Sequence, residues 1–209
     1  MRNTIQGAMT LALGVALAAG LAGCRVQVDK GANGEDKKVQ VETPFGGIHV
    51  NTDRTTAVDL GLPVYPGAQA VKGDGDHNSA DVQLGFGPWQ LKVKVVSYES
   101  SDSQDEVAAF YKKALGRYGD VITCQDKTPV GKPTVTAEGL DCLDDGKHDH
   151  VHIDQGEYHF GGGNLELKAG SKRHQHIVGF EYPKDGKTRY SLVALDLPAN
   201  VGSDNGKSD

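Results

Sequence analysis

The chain has 209 residues, of which 37% are hydrophobic and 28 are glycine. This length suits one domain with a sizeable core, or two small ones. The formal net charge of -6, with no dense run of Lys or Arg, argues against nucleic acid as a partner, because phosphate binding needs a basic patch.

The N-terminus has the composition of an export signal. Arg2 provides a short positive start, and residues 8–23 form an apolar run without a charged side chain. The run is shorter than the ~20 residues that a membrane-spanning helix needs, and it ends in small residues. We therefore predict a cleaved signal peptide over residues 1–23. The alternative, a buried core helix, is disfavoured because the run is apolar all round and lies at the start of the chain.

The apolar run ends in Leu21-Ala22-Gly23-Cys24, which resembles the lipobox of bacterial lipoproteins. The resemblance covers the signal alone. It implies cleavage before Cys24, a diacylglycerol thioether on Cys24 and acylation of the new amino group. Two or more acyl chains hold a protein stably, so the lipid bilayer is an expected partner. Arg25 replaces the Asp that retains some Gram-negative lipoproteins at the inner membrane, which implies the outer membrane, facing the periplasm.

Two cysteines remain after Cys24, namely Cys124 and Cys142. Disulfides persist in exported proteins, and Pro129, Gly131 and other turn residues between the two cysteines allow them to meet. We predict a structural disulfide worth ~3 kcal/mol in the chain-entropy picture. A redox or metal-binding pair is the alternative, but the cysteines lack C-x-x-C spacing.

The mature chain divides by composition. Residues 24–37 are rich in Gly, Asp, Lys and Asn and predict a flexible tether, and residues 199–209 predict a disordered tail. Residues 38–198 are the expected folded domain. A division of this domain into 38–124 and 125–198 is left open.

Period-two alternation of apolar residues predicts a series of strands separated by turn residues. These strands lie at Val39–Val41, Ile48–Val50, Val82–Phe86, Leu91–Val95, Val121–Cys124, Val151–Ile153, Leu165–Lys168, His176–Tyr182 and Arg189–Leu197. The proline-punctuated segment Leu62–Ala68 is expected to be neither a central strand nor a helix interior.

The period changes to that of a helix over residues 103–118. Ser103 offers an N-cap, and Gly119 is the expected stop. The apolar residues that recur at helical spacing are Val107, Phe110, Tyr111, Ala114, Leu115 and Tyr118. One amphipathic helix packed on a mainly antiparallel sheet predicts an α+β fold.

Two segments carry a second resemblance. Pro63-Val64-Tyr65-Pro66-Gly67-Ala68 and the later Phe110-Tyr111, Leu115 and Gly119 resemble a module of uncharacterised bacterial envelope lipoproteins. In that module a YPGA opening is followed by a hairpin and by a helix reading V-x-x-F-Y-x-x-x-L. The resemblance implies an extracytoplasmic α+β domain and brings no catalytic residues.

Histidines in the second half of the chain suggest one chemical site. His148, His150 and His152 alternate with period two, and His174 and His176 repeat the pattern. If the two strands paired, their imidazoles would converge on one face, a ligand set that suits Zn²⁺, Cu²⁺ or Ni²⁺. The alternative is a solvated strand face without metal.

No nucleophile elbow, zinc-protease motif, P-loop or dinucleotide fingerprint is present in the sequence. Phe45, Tyr65 and Trp89 stand at strand starts, where we expect core positions; a contact surface is the alternative. We predict a non-enzymatic lipoprotein without a cofactor that binds or scaffolds another envelope protein. The competing hypothesis is a periplasmic metal-binding lipoprotein that uses the histidine strands.

Overall fold

The computed structural model describes residues 24–30, 36–72, 77–143, 165–182 and 185–198. Its strands are β1 (Arg25–Lys30), β2 (Asp36–Thr43), β3 (Gly46–Thr52), β4 (Gln69–Ala70), β5 (Ser79–Phe86), β6 (Trp89–Ser100), β7 (Val121–Gln125), β8 (Thr128–Pro129), β9 (Leu165–Gly170), β10 (His174–Phe180) and β11 (Thr188–Asp196). They form one antiparallel sheet in the order β1-β2-β3-β5-β6-β11-β10-β9-β7-β8, and β4 pairs with β6 beyond the start of β5. With one α-helix among the described residues, the sheet confirms the predicted α+β class.

The helix α1 (Gln104–Leu115) begins at the expected cap. The backbone N–H of Ser103 donates to Glu106 Oε2 at 3.1 Å, and the Ser103 hydroxyl accepts from the Glu106 N–H. A 3-10 turn, Gly116–Tyr118, continues the helix to the predicted end. No helix in the described ranges is long and apolar enough to cross a membrane.

The main core lies between α1 and one face of the sheet. A 3-10 helix at Ala57–Leu60 closes one side of this layer. The buried side chains of the core are Ala57, Leu60, Leu62, Val96, Tyr98, Val107, Tyr111, Leu115, Val121, Leu167, Ala169, Val178, Phe180, Tyr190 and Leu192. The sheet side of this core comes from β7, β9, β10, β11 and residues 96–100 of β6. Together with α1 we call these the core half of the molecule.

The predicted disulfide is confirmed. Cys124 in β7 is bonded to Cys142, with the two Cα atoms 5.5 Å apart. Together with Ile122 and Leu140 they form a small buried cluster on the face of β7 that points away from α1. The bond therefore holds the segment after β8 against the reverse side of the sheet.

The proline-rich segment before β4 is fixed by α1. Residues Tyr65–Ala68 form a turn in which Ala68 N–H donates to the Tyr65 carbonyl at 3.0 Å and Gly67 adopts a positive φ of 76°. The Tyr111 hydroxyl accepts from the Tyr65 N–H and donates to the Pro63 carbonyl, both at 3.2 Å. The two ends of the YPGA-like module are thus in direct contact.

The flexible tether predicted over residues 24–37 is wrong for the residues that form β1. Residues 25–30 instead pair with β2, with Val26 opposite Val41 and Val28 opposite Val39. The strand begins at Arg25, one residue after Cys24. The alternation of Val26 and Val28 with polar residues is a strand signal that the Gly- and Asp-rich composition of the neighbouring residues concealed.

Candidate binding surface

The first part of the sheet is a meander on which, among the described residues, no second layer packs. We call β1, β2, β3, β5 and residues 89–95 of β6 the meander. Among the described elements, the main contacts of β1, β2, β3 and β5 are with their neighbouring strands. None of the side chains of these four strands belongs to either buried hydrophobic cluster. The meander is therefore stabilised by pairing between its strands and by contacts among the side chains on its two faces.

Two rows of aliphatic side chains cross all five strands of the meander on the face away from α1. The strand register places their members directly opposite one another. One row is Val26, Val41, Ile48, Leu84 and Leu91; the other is Val28, Val39, Val50, Val82 and Val93. At a strand spacing of about 4.8 Å, each row runs across about 19 Å of sheet. We call these rows the aliphatic face.

The aliphatic face is accessible. At the edge strand Val26 is 62% exposed and Val28 is 44% exposed, and the remaining members are half-buried by their neighbours in the sheet. The row that ends at Val93 continues into β11, where Leu195 lies opposite Val93. The largest apolar patch on a typical monomer is a few hundred Å² and is often functional, so a continuous face of this kind points to a contact.

The opposite face of the meander is polar. One row across it runs from His49 through Gln83 and Lys92 to Asp196. In the next row Lys94 Nζ lies 3.9 Å from Asp81 Oδ2. The meander is therefore amphipathic, with its polar side on the same face of the sheet as α1 and its aliphatic side on the other.

The structure places His174 and His176 on one face of β10 but in different environments. His174 Nδ1 is 2.8 Å from Asp196 Oδ1. The His176 ring stacks on Tyr118, with ring centroids 3.6 Å apart and planes at 11°. Burial lowers the pKa of His176, while Asp196 and the Leu60 carbonyl act in the opposite direction. His176 thus behaves as a packed residue at the margin of the core.

The predicted convergence of two histidine strands does not occur through β10. Both edges of this strand are occupied, by β11 along its length and by β9 from Gln175 to Phe180. His148, His150 and His152 lie outside the described residues, as does the strand predicted at Val151–Ile153. Within the described ranges, no three His, Cys, Asp or Glu side chains group as a metal site requires. Metal binding by these histidines stays a prediction.

A cavity of about 530 Å³ lies beside α1, between the helix and the 3-10 helix that precedes it. Val58, Gly61 and Ala114 line it, and Arg117 is its ionisable group. The Arg117 guanidinium donates to the Gly61 carbonyl at 3.2 Å and lies 5.3 Å from the centre of the Tyr118 ring. Its charge is therefore used in holding α1 to the preceding loop.

The three aromatic residues for which we expected core positions lie in different environments. Tyr65 packs edge-on against Phe110 at 5.1 Å, and its hydrogen bond to Asp102 raises the pKa of Tyr65 to about 12. Trp89 is half-buried, and Phe45 is 84% exposed at the β2–β3 turn. The core prediction is wrong for Phe45, because its side chain projects from a hairpin tip and is mostly exposed to solvent.

The aliphatic face was not predicted as a site, although its strands were largely recognised. Its sequence signal is the repeated alternation of Val, Ile and Leu in consecutive hairpins. That alternation identifies one apolar side for each strand, but it does not reveal whether another layer covers that side. No protein-family model, curated protein or solved structure matches this chain.

Proposed function

We propose that this chain is the precursor of a lipid-anchored bacterial envelope lipoprotein, and that its meander binds another envelope protein. The binding surface is the aliphatic face. The carrying observation is its pair of aliphatic rows across five strands, which lie outside both hydrophobic clusters of the described residues. The role is binding or scaffolding rather than catalysis. The protein faces the periplasm from the outer membrane, to which Cys24 attaches it.

The physical case begins with the aliphatic face. Removing apolar surface from water contributes about 25 cal/mol per Å² of buried area, so a partner that covers this face gains free energy from contact alone. Val50 and Val82 lie opposite each other near its centre and are half-buried. Their branched side chains are stiff at χ1, so little conformational entropy is lost when a partner packs on them.

The anchor and the binding surface belong to one continuous element. Cys24 is exposed and immediately precedes β1, whose Val26 and Val28 open the two aliphatic rows. An acylated Cys24 therefore holds the meander close to the bilayer, without a long linker between them. The Cys124–Cys142 disulfide supports an oxidising compartment, because disulfides persist in the periplasm.

Photocrosslinking in intact cells tests the binding surface. A photoreactive residue is placed at Val50 on the aliphatic face, and as a matched control at the adjacent Asn51, which points to the polar face of the same strand. We expect a discrete protein adduct from position 50 and none from position 51. Equal adducts from both positions, or adducts only with bulk lipid and abundant porins, would contradict the proposal.

Cell fractionation tests the anchor separately. Cys24→Ala removes the thiol that carries the lipid, so we expect the protein to leave the membrane fraction and its signal to remain uncleaved at this site. Cys142→Ser, which also removes a cysteine but leaves Cys24 in place, should stay with the membrane. Unchanged membrane association of Cys24→Ala would overturn the lipoprotein assignment.

A further inference from the structure

One end of the meander gathers the anchor residue and two hairpin turns. Cys24 lies one residue outside the Arg25–Glu42 pair, which puts it beside the β2–β3 turn at Pro44 and Phe45. The β5–β6 turn lies at the same end, because the last residue of β5 is paired with the first residue of β3. The strands of the meander lead away from this end.

The two turns carry exposed aromatic side chains. Phe45 is 84% exposed and Phe86 is 46% exposed. Phe86 lies opposite Trp89, with ring centroids 6.1 Å apart. A Cβ on Gly46 would collide with the Gly85 carbonyl oxygen and stand 2.7 Å from Phe86 Cδ1, so the glycine lets the neighbouring backbone and the Phe86 ring approach closely. We call Phe45, Phe86 and Trp89 the aromatic tip.

The backbone segments that form the aromatic tip contain no ionisable side chain. Residues 43–47 read Thr-Pro-Phe-Gly-Gly, and residues 85–89 read Gly-Phe-Gly-Pro-Trp. These are uncharged turns in a chain that is 24% charged. Insertion of the tip into an apolar or interfacial medium therefore requires no charge to be desolvated.

Cationic side chains lie a short way behind the tip. Lys92 and Arg173 line a recess that Pro88 also lines. The carboxylate in the same recess, Asp196, is hydrogen-bonded by His174 at 2.8 Å. Lys and Arg at this level can reach the phosphates of phospholipid headgroups while the aromatic tip lies deeper.

We propose that the aromatic tip inserts into the interfacial region of the bilayer that holds Cys24. This inference rests on the proposed function, since the acyl chains bring the tip to the membrane and keep it at a high effective concentration there. Trp and other aromatic residues are favoured at membrane interfaces, where one side of the ring is apolar and the other is wet. Insertion orients the domain, with the meander strands leading away from the membrane and the aliphatic face accessible to a partner from the side.

Trp89 makes the tip directly observable, because it is the single tryptophan of the chain. The lipidated protein is purified from cells expressing the full chain and reconstituted into phosphatidylethanolamine and phosphatidylglycerol vesicles with brominated acyl chains. We expect Trp89 emission to be blue-shifted relative to tryptophan in water and to fall as the brominated fraction of the vesicles rises.

Two matched variants make the test specific. Phe45→Asp puts a charge on the tip without altering Trp89, so bromine quenching should be lost while the protein still floats with the vesicles. Tyr182→Asp is the control, because Tyr182 is 62% exposed beyond the other end of β10 and should leave quenching unchanged.

Three results would overturn the inference. If the acylated protein floats with the vesicles but Trp89 is not quenched, insertion of the aromatic tip is refuted and the lipoprotein proposal stands. A blue-shifted but unquenched emission, together with a doubled molecular mass, places a second copy of the chain on the tip. If the protein is not acylated and does not float with the vesicles, both the proposed function and the insertion of the aromatic tip are refuted.

Discussion

The core half and the meander are built from the same kind of strand and differ in what covers them. In the core half, α1 lies on the sheet, and Tyr111, Phe180 and Tyr190 are fully buried. In the meander, Ile48 and Val50 have comparable apolar character but are only half-buried. A strand with an apolar side becomes core where a second layer packs on it, and among the described residues the apolar side of the meander has no such layer. The core half therefore carries most of the described hydrophobic core, and the proposed binding surface lies on the other half of the same sheet.

Matched leucine substitutions give the largest expected contrast between the halves. Leu192→Ala in β11 removes a fully buried side chain and should lower the free energy of unfolding by about 2–5 kcal/mol. Leu84→Ala in β5 removes a half-buried side chain of the aliphatic face and should cost about 1 kcal/mol. Guanidinium denaturation measures both. Equal losses would mean that the aliphatic face is packed like a core.

The disulfide is the next largest contribution, and it belongs to the core half. Replacing Cys124 and Cys142 together with serine should lower stability by about 3 kcal/mol, because the unfolded chain regains the entropy of the open loop. Thermal unfolding with and without a thiol reductant provides the check. The reductant should lower the unfolding temperature of the wild type and leave that of the double variant unchanged.

The Tyr111 hydroxyl should contribute less than the disulfide. Tyr111→Phe keeps the ring in the core but removes the partner of the Tyr65 N–H and the Pro63 carbonyl. Leaving these groups unsatisfied should cost about 1–3 kcal/mol in denaturant unfolding. Tyr182→Phe, at an exposed position, is the control and should change nothing measurable.

The smallest expected effect is a pH dependence through His176. Burial holds the pKa of His176 below its ordinary value of 6.5, so the unfolded chain binds the proton more readily than the folded one. Stability from this group is complete above pH 6.5 and falls as the pH drops through 6.5 toward the lower pKa of the folded state. His176→Phe keeps a ring against Tyr118 and should flatten the slope of unfolding free energy in this window.

The control for the pH prediction is a histidine of the meander. His49 lies on the polar face of the meander, away from the core. The unfolding free energy of His49→Phe should depend on pH as that of the wild type does. The same loss of slope in His49→Phe as in His176→Phe would show that the dependence does not come from the margin of the core.

Local patterns in the sequence predicted much of the core half. The spacing from Val107 to Leu115 identified the face of α1 that is buried, and Ser103 identified its start. The pairing of Cys124 with Cys142 followed from the count of cysteines and the expected compartment. These features depend on residues near one another in sequence, or on simple exclusion, and so required no knowledge of tertiary packing.

The meander shows where local patterns fall short. Composition assigned Arg25–Lys30 to a tether, but two valines at the correct spacing suffice for a strand when β2 offers its edge. Whether the aliphatic face is covered depends on packing on the side of the sheet opposite α1, and the alternation within each strand does not reveal that packing. The histidine prediction depended in the same way on a strand pairing, and β9 and β11 leave β10 no edge for it.

The mass of the mature protein is the decisive measurement for the proposed lipid anchor, because acylation at Cys24 is the step by which we propose that the meander is held at a membrane. Intact-mass and N-terminal peptide measurements are made on the chain extracted from the membranes of expressing cells. We expect a polypeptide that begins at Cys24 and carries a diacylglycerol thioether and an N-acyl chain. A chain that retains residues 1–23, or one with a free Cys24 thiol, would contradict it.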